Sequence, residues 1–514
     1  MDWNLKYVLF IAVLYVILPI YIFSLCWMKG VISLLIFSIL TLMMFHFYQN
    51  IKNTYFIRAD RNLCWILIIV FIFLLLTGHG GLLSTNGVDI PWRDAIYYDL
   101  ISHSWPVIYQ SNGTALTYYL SYWLPAAGFS SAFGLSHYAA QVVLFFWTLL
   151  GLILGILLLC SYLHSLKRSS VYTALLFLFW SSISIIGMII RSALGKERPL
   201  AIEDMPGFNS WQFTSWSHDG YFIGFFIRTT FDSLSNVYNQ FVPLFLCTML
   251  FLHLRKEPRY YALIGLLALP YSPFGFIGFS LVILLYFFAG LIKCQEKRRR
   301  LLECLSLENF SAMATILPVY VIYYTSNAVS TATGSKSIWI APLSDYGVTR
   351  ISNLLLFYLL AFGIYVSCLP KRKWNWLVIS SVFLLCIFPM IQIGNGGDFL
   401  WNASTVPGLL IMVFVIGQIQ ECIKRKQVWG KNLFLIICVC LGILTPIMQA
   451  SSYIRTCVLV KRGRVYIDPM HINGTFEDKN IQEYRNFLSI GYEDTYFYKY
   501  IAKKKWAWKF WLRK

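Results

Sequence analysis

The chain has 514 residues, of which 58% are hydrophobic and 13% charged, with a formal net charge of +19. Soluble globular chains carry about 25% charged residues, so composition excludes an ordinary soluble domain. The apolar runs are continuous rather than alternating, which excludes a membrane barrel, and a mean hydropathy of +0.63 fits an all-α polytopic integral membrane protein.

Lys6 precedes a first apolar run at 7–27, expected to act as a signal anchor rather than a cleaved leader. Further spans are expected near 31–48, 63–82, 138–163, 171–190, 237–254, 260–270, 274–292, 310–325, 351–369, 374–391, 403–423 and 432–449, about 13 transmembrane helices in all. The run 115–134 is long enough to cross but dense in aromatics and interrupted by Pro125, so it reads as an interfacial helix. With it lying on the membrane, the clusters Lys52/Arg58/Arg61, Lys167/Arg168, Arg255/Lys256/Arg259, Lys297–Arg300, Lys371–Lys373 and Lys424–Lys426 share one side. The positive-inside rule then places the N-terminus in the cytoplasm and the C-terminus outside. These clusters also account for the net charge without nucleic acid.

The outer face is expected to carry the loops 83–137, 191–236, 326–350 and 393–402 on a membrane domain, 1–449, followed by a small tail, 450–514. That tail ends in alternating bases and indoles suited to an anionic lipid surface. The short span 260–270 runs into Pro270-Tyr271-Ser272-Pro273, read as a broken helical hairpin or a kinked turn. Most of the twelve Cys fall in or beside apolar runs, so neither a disulfide framework nor a metal site is implied.

Chemistry is expected where charges sit beside the membrane without being needed for insertion. Asp89, Arg93, Asp94 and Asp99 follow the third span directly. Asp89 and Asp94 are the candidate catalytic carboxylates, each also explicable as an N-cap of the helix starting near Trp92. Asp99 reads as a structural partner of Arg93 or His103. For a lipid phosphate the outward cations are Arg93, Arg191, Lys196, Arg198, Arg228 and Arg350, with Arg228 and Arg350 foremost because arginine's fork matches phosphate geometry, each also explicable as snorkelling at a helix end. Tyr118, Tyr119 and Trp123, together with His218-Asp219 amid Trp211, Trp216 and Tyr221, could bind a sugar by stacking and hydrogen bonding, although His218 reads first as a satisfied loop histidine. Asp398 follows a Gly-Asn-Gly-Gly turn; it or Asp89 could take a divalent metal, although no His/Asp spacing supports one and no cofactor is certain. No Gly-rich nucleotide loop is present.

The order of an apolar span, an acidic outer loop, a Tyr-Tyr interfacial segment and another span resembles the GT-C superfamily of polytopic glycosyltransferases. The pattern Asp89…Arg93…Ala95-Ile96…Asp99-Leu100…Trp105-Pro106-Val107, then Tyr118-Tyr119…Tyr122-Trp123-Leu124-Pro125, is similar to a bacterial multipass group of that type. Asn239-Gln240-Phe241-Val242-Pro243, Ser272-Pro273-Phe274…Gly278 and Gly397-Asp398-Phe399…Ser404…Pro407 continue the likeness. It departs from the mannosyltransferase Asp-Glu pair, since Ile90 follows Asp89, and places Asn402 where a basic residue is expected. The Trp-Trp-Asp-Tyr-Gly signature of oligosaccharyltransferases is absent.

The resemblance implies interfacial helices near 92–103 and 115–134 and an inverting glycosyltransferase with Asp89 as base. Its donor would be a polyprenyl-phosphate-linked sugar, and its acceptor a glycan, lipid or cell-envelope polymer outside the cytoplasmic membrane. A polysaccharide repeat-unit polymerase would rest on outer-loop arginines instead. A lipid-glycan flippase would need mid-span charge and internal repeats, neither of which is visible.

Overall fold

The computed structural model describes residues 2–51, 56–58, 61–79, 89–165, 168–183, 186, 215–218, 221–225, 227–327, 338–340, 348–393, 397–463, 475–478 and 484–503. Arg191, Lys196, Arg198, Trp211, Asp219 and the basic-aromatic end of the tail lie outside them.

The molecule is mostly helical. In chain order come α1 (Leu5–Trp27), α2 (Gly30–Asn50), α3 (Arg61–Leu76), α4 (Ile90–Ser102), α5 (Leu124–Ala132), α6 (His137–Tyr162) and α7 (Arg168–Leu178). Next are α8 (Thr230–Asn236), α9 (Tyr238–Leu254), α10 (Tyr261–Leu266), α11 (Pro273–Lys293), α12 (Lys297–Glu303) and α13 (Leu307–Tyr324). The series closes with α14 (Val348–Tyr358), α15 (Trp376–Ile387), α16 (Asp398–Ala403), α17 (Thr405–Lys424) and α18 (Lys431–Lys461). Helix starts follow local chemistry: Asn4, Ser136, Ser272, Ser306 and Asn375 each cap a helix by accepting an N–H that has no partner within the helix.

Among the described residues, six helical segments are long and apolar enough to cross a membrane: α1, α2, α6, α11, α16 with α17, and α18. The pair α12 and α13, bent by 49°, makes a seventh if counted as one broken span. Broad apolar faces stay uncovered, as on α2, where Val31, Leu34, Leu35, Leu42 and Phe45 are exposed. Faces of that size fit lipid rather than water. The chain therefore has the character of a multi-pass membrane protein.

The expected count of about thirteen is not supported. Helix α9 has 17 residues, almost all buried, and packs against α6, α17, α1 and α11, so its apolar sequence serves protein contacts. Helix α10 has six residues, too few to cross, and its first N–H groups from Ala262 and Leu263 donate to Asn309 Oδ1 at 2.9 and 3.1 Å. Helix α7 stops at Leu178, where Thr230 closes it: its N–H donates to Trp180 O at 3.2 Å and its hydroxyl to Phe177 O at 2.8 Å. Hydropathy registers apolar surface without registering whether lipid or protein covers it.

The bundle has two chemically different ends. At one, Glu308 is fully buried between His46 Nδ1 at 2.9 Å and Arg259 at 3.2 Å, and Glu421 gathers Arg372, Lys373 and Arg425. At the other begin α4, α9, α11 and α16, and there two strands, β1 (Ile108–Tyr109) and β2 (Thr114–Leu116), form a small antiparallel sheet. The tail supplies its third strand, β3 (Leu488–Ile490), in the register Leu116↔Leu488. The tail then reaches the α1–α2 turn, where Lys29 N donates to Ile501 O and Lys503 N to Trp27 O, both at 2.9 Å.

One close approach positions α16. A Cβ on Gly278 in α11 would stand 2.1 Å from the backbone oxygen of Ala403. Gly278→Ala should therefore push α16 off α11 at a cost of about 1–3 kcal/mol or more, read as a lower melting temperature in detergent. Gly30→Ala, facing open space at the start of α2, should leave the melt unchanged, and equal behaviour of the two variants would refute the contact.

A second test concerns the tail. Asp99, fully buried in α4, accepts the Tyr109 hydroxyl at 2.5 Å and Phe476 N–H at 3.1 Å. Burial pushes its carboxyl up to about 6; Tyr109, the Phe476 N–H and His103 pull it down, and Glu477 pushes it up. The folded value exceeds the ordinary 3.8, so the folded chain holds this proton more tightly than the unfolded one. Stability from Asp99 is full below about pH 4 and is lost as pH rises through 6. Asp99→Asn should flatten that part of the pH dependence, a difference on the order of 2 kcal/mol between about pH 4 and 8. Superimposable melting curves of the two proteins across that range would contradict it.

Candidate functional site

The polar cluster at the sheet-bearing end is built around α4. Pro91 opens this helix, and Asp89 stands at its N-cap position without making a capping hydrogen bond. The carboxylate instead faces Arg93 one turn on, Oδ2 lying 3.6 Å from a guanidinium nitrogen. Asp94 is rotated about 100° from Arg93 on the same helix. It is buried on the far side, its Oδ1 accepting from Gln141 of α6 at 3.2 Å. The two candidate catalytic carboxylates thus have different surroundings, and Asp89 is the one beside the cations.

Arg93 is 5% exposed. It donates to the Tyr118 hydroxyl at 2.7 Å and through Nε to the backbone oxygen of Asn236 at 3.4 Å. The Tyr118 hydroxyl continues to that of Tyr119, which accepts from Gln240 of α9 at 3.3 Å. Ser272, the cap of α11, donates to Gln240 Oε1 at 2.7 Å, so the Pro270–Pro273 turn buttresses this chain of hydroxyls. Burial raises the Tyr119 hydroxyl to about 12, with Arg93 lowering it and Asp398 and Asp89 raising it. It remains a neutral donor at physiological pH.

Asp398 enters from the opposite side, at the first position of α16. It is open to solvent while protein encloses its other sides, and the charges of Asp89, Arg228 and Arg93 all act on it. Among the described residues its carboxylate makes no hydrogen bond. The neighbouring indole of Trp401 lies over Gly397, where a Cβ would meet the ring at 2.4 Å. The other cation, Arg228, sits 5.5 Å from the Trp401 ring centroid and 3.1 Å from Asp232. Asn402 turns inward, donating to the backbone oxygen of Asp398 at 2.9 Å.

Asp89, Arg93, Tyr118, Tyr119, Arg228 and Asp398 are therefore brought together from four distant stretches of chain. Trp123 is not among them: it is fully buried behind the tyrosines, its indole N–H donating to Tyr238 at 3.0 Å. His218 lies in a hairpin strand opposite Tyr221, and Arg350 in the first turn of α14; their side chains lie outside the described residues. Sequence reasoning assigned no role to Asp232, Asn236, Gln240, Ser272 or Trp401. The spacing Arg228-Asp232-Asn236, at i, i+4 and i+8, was the available signal for two of them.

No group of three His, Cys, Asp or Glu side chains gathers as a metal site among the described residues. A surface groove of about 700 Å³ lies elsewhere, lined by Glu296, Arg298, Arg299, Leu302 and Glu303. Its Arg299 is largely exposed and paired with Glu296 and Glu303, which marks a solvated charged helix rather than a reactive centre. Comparison of the chain with protein-family models, curated proteins and solved structures finds no match.

Proposed function

We propose that this protein is an inverting membrane glycosyltransferase of GT-C type, moving a sugar from a polyprenyl-phosphate donor to a hydroxyl of a glycan, lipid or cell-envelope acceptor. In this reading the polar cluster lies on the outer face of the cytoplasmic membrane, with the N-terminus inside. The observation that carries it is the meeting of two carboxylates, Asp89 and Asp398, with two guanidiniums, Arg93 and Arg228, at one end of an apolar bundle.

The chemistry needs those types. The acceptor oxygen attacks the anomeric carbon, its proton passes to Asp89, and the bond from that carbon to the phosphate oxygen breaks as polyprenyl phosphate departs. A single carboxylate can serve as base. The departing phosphate gains charge that guanidiniums offset, so no second acid is required. Three helix N-termini, of α4, α9 and α11, add partial positive charge around the same place. Arg228 provides the cation that the sequence pattern lacks at Asn402, and Tyr118, Tyr119 and Trp401 offer hydroxyls and ring edges to a sugar.

Asp89→Asn should lower transfer by about 10²–10⁴-fold; because it also takes from Arg93 a carboxylate partner at 3.6 Å, some detergent stability should go with it, but far less than the loss of transfer. Asp94→Asn, altering a buried contact with Gln141, should act on stability first. Mass spectrometry of surface glycans from cells carrying each variant, beside melting curves of the purified proteins, separates the two roles. Wild-type glycans from the Asp89→Asn strain would end the enzyme reading of this loop.

A further inference from the structure

The cations of the cluster are joined by a ladder along α8. Arg228 stands just before the N-cap Thr229, and Asp232 and Asn236 lie one turn apart on α8. Asp232 Oδ2 accepts from Arg228 at 3.1 Å, and Asp232 Oδ1 accepts from the Asn236 amide at 2.9 Å. Asn236 passes the constraint on, its Oδ1 accepting from the backbone N–H of Asp89 and its backbone oxygen from Arg93 Nε, both at 3.4 Å.

The ladder is anchored from behind. Thr229 accepts the Asp232 N–H at 2.9 Å and donates to Gln449 of α18 at 2.8 Å, while Tyr453 donates to Ser235 at 3.2 Å. Asp232 is 7% exposed and uses both oxygens within the ladder. A surface ion pair would leave one oxygen to water and one partner to wander. This carboxylate does neither.

We propose that Asp232 is a positioning residue for phosphate binding, holding Arg228 with one oxygen and, through Asn236, the Asp89–Arg93 pair with the other, so that both guanidiniums meet a phosphate ester at a set spacing. The inference rests on the reading above for what the cluster binds, and not on the reaction that follows. Asp232 itself touches no substrate.

The test uses the full chain in lipid nanodiscs, with undecaprenyl phosphate as the probe and inorganic phosphate as a second arm, binding being followed by tryptophan fluorescence. Asp232→Asn keeps shape and one acceptor oxygen but removes the charge, and should weaken lipid-phosphate binding by about tenfold or more. Asp232→Glu should recover part of the loss. Asn236→Ala cuts the ladder without touching either charge, and its effect should shrink in the Asp232→Asn background, because both remove the same constraint. Losses that simply multiply, or wild-type affinity in Asp232→Asn, would overturn the proposal. Should Asp232→Asn fail to fold, wild-type affinity in Asn236→Ala would overturn it equally. If the wild-type chain binds neither probe, the phosphate reading of the cluster itself falls. Binding of both probes alike would mean that the headgroup, not the lipid, is recognised.

Discussion

A guanidinium that water hardly reaches has to find its partners in protein, and at Arg93 that requirement organises one end of the molecule. Taking such a charge out of water costs several kcal/mol unless carboxylates and hydrogen-bond acceptors surround it. Arg93 is met by the Asp89 carboxylate, the Tyr118 hydroxyl and the Asn236 carbonyl. These partners come from the start of α4, the segment after the small sheet, and the end of α8. Apolar packing holds these pieces as well, through Ile96, Leu100, Leu120, Phe231 and Leu234. The same electrostatic need that fixes Arg93 thus defines a polar floor on an otherwise apolar bundle.

Much of this was open to reading in the amino-acid order, and the rest was hidden for physical reasons. Apolar runs announce membrane helices because length and hydropathy suffice to define them, as at α1, α2 and α6. They cannot announce α9, whose residues are equally apolar but enclosed by other helices. Charges next to apolar runs mark Asp89, Arg93, Arg228 and Asp398 as unusual, since each would cost free energy there without a purpose. Which of Asp89 and Asp94 faces the cations depends on helix phase, and phase depends on a start at Ile90 rather than near Trp92. Asp232 and Asn236 look like ordinary polar residues of a loop until α8 aligns them with Arg228.

Glycines carry part of the same constraint by what they leave out. At Gly278 the missing side chain lets α11 lie against the Ala403 carbonyl, and at Gly397 it lets the Trp401 ring fold back over the chain. Both contacts act on the two ends of α16, the helix that begins with Asp398. The position of one carboxylate is therefore set by two absences of a methyl group, one in its own turn and one in a neighbouring helix.

The docking of Leu488–Ile490 on Thr114–Leu116, and of Ile501–Lys503 on the turn between α1 and α2, joins stretches far apart in the chain. Such contacts come late in folding, because the intervening chain must first be made and closed into a loop. On a ribosome the edge of that sheet waits, unpaired, while the helices between Thr114–Leu116 and Leu488–Ile490 are made. An open edge of this kind is what chaperones and proteases recognise in unfinished chains. Docking of Leu488–Ile490 thus closes that edge, and with it the polar end of the bundle, only after the helices before it are in place.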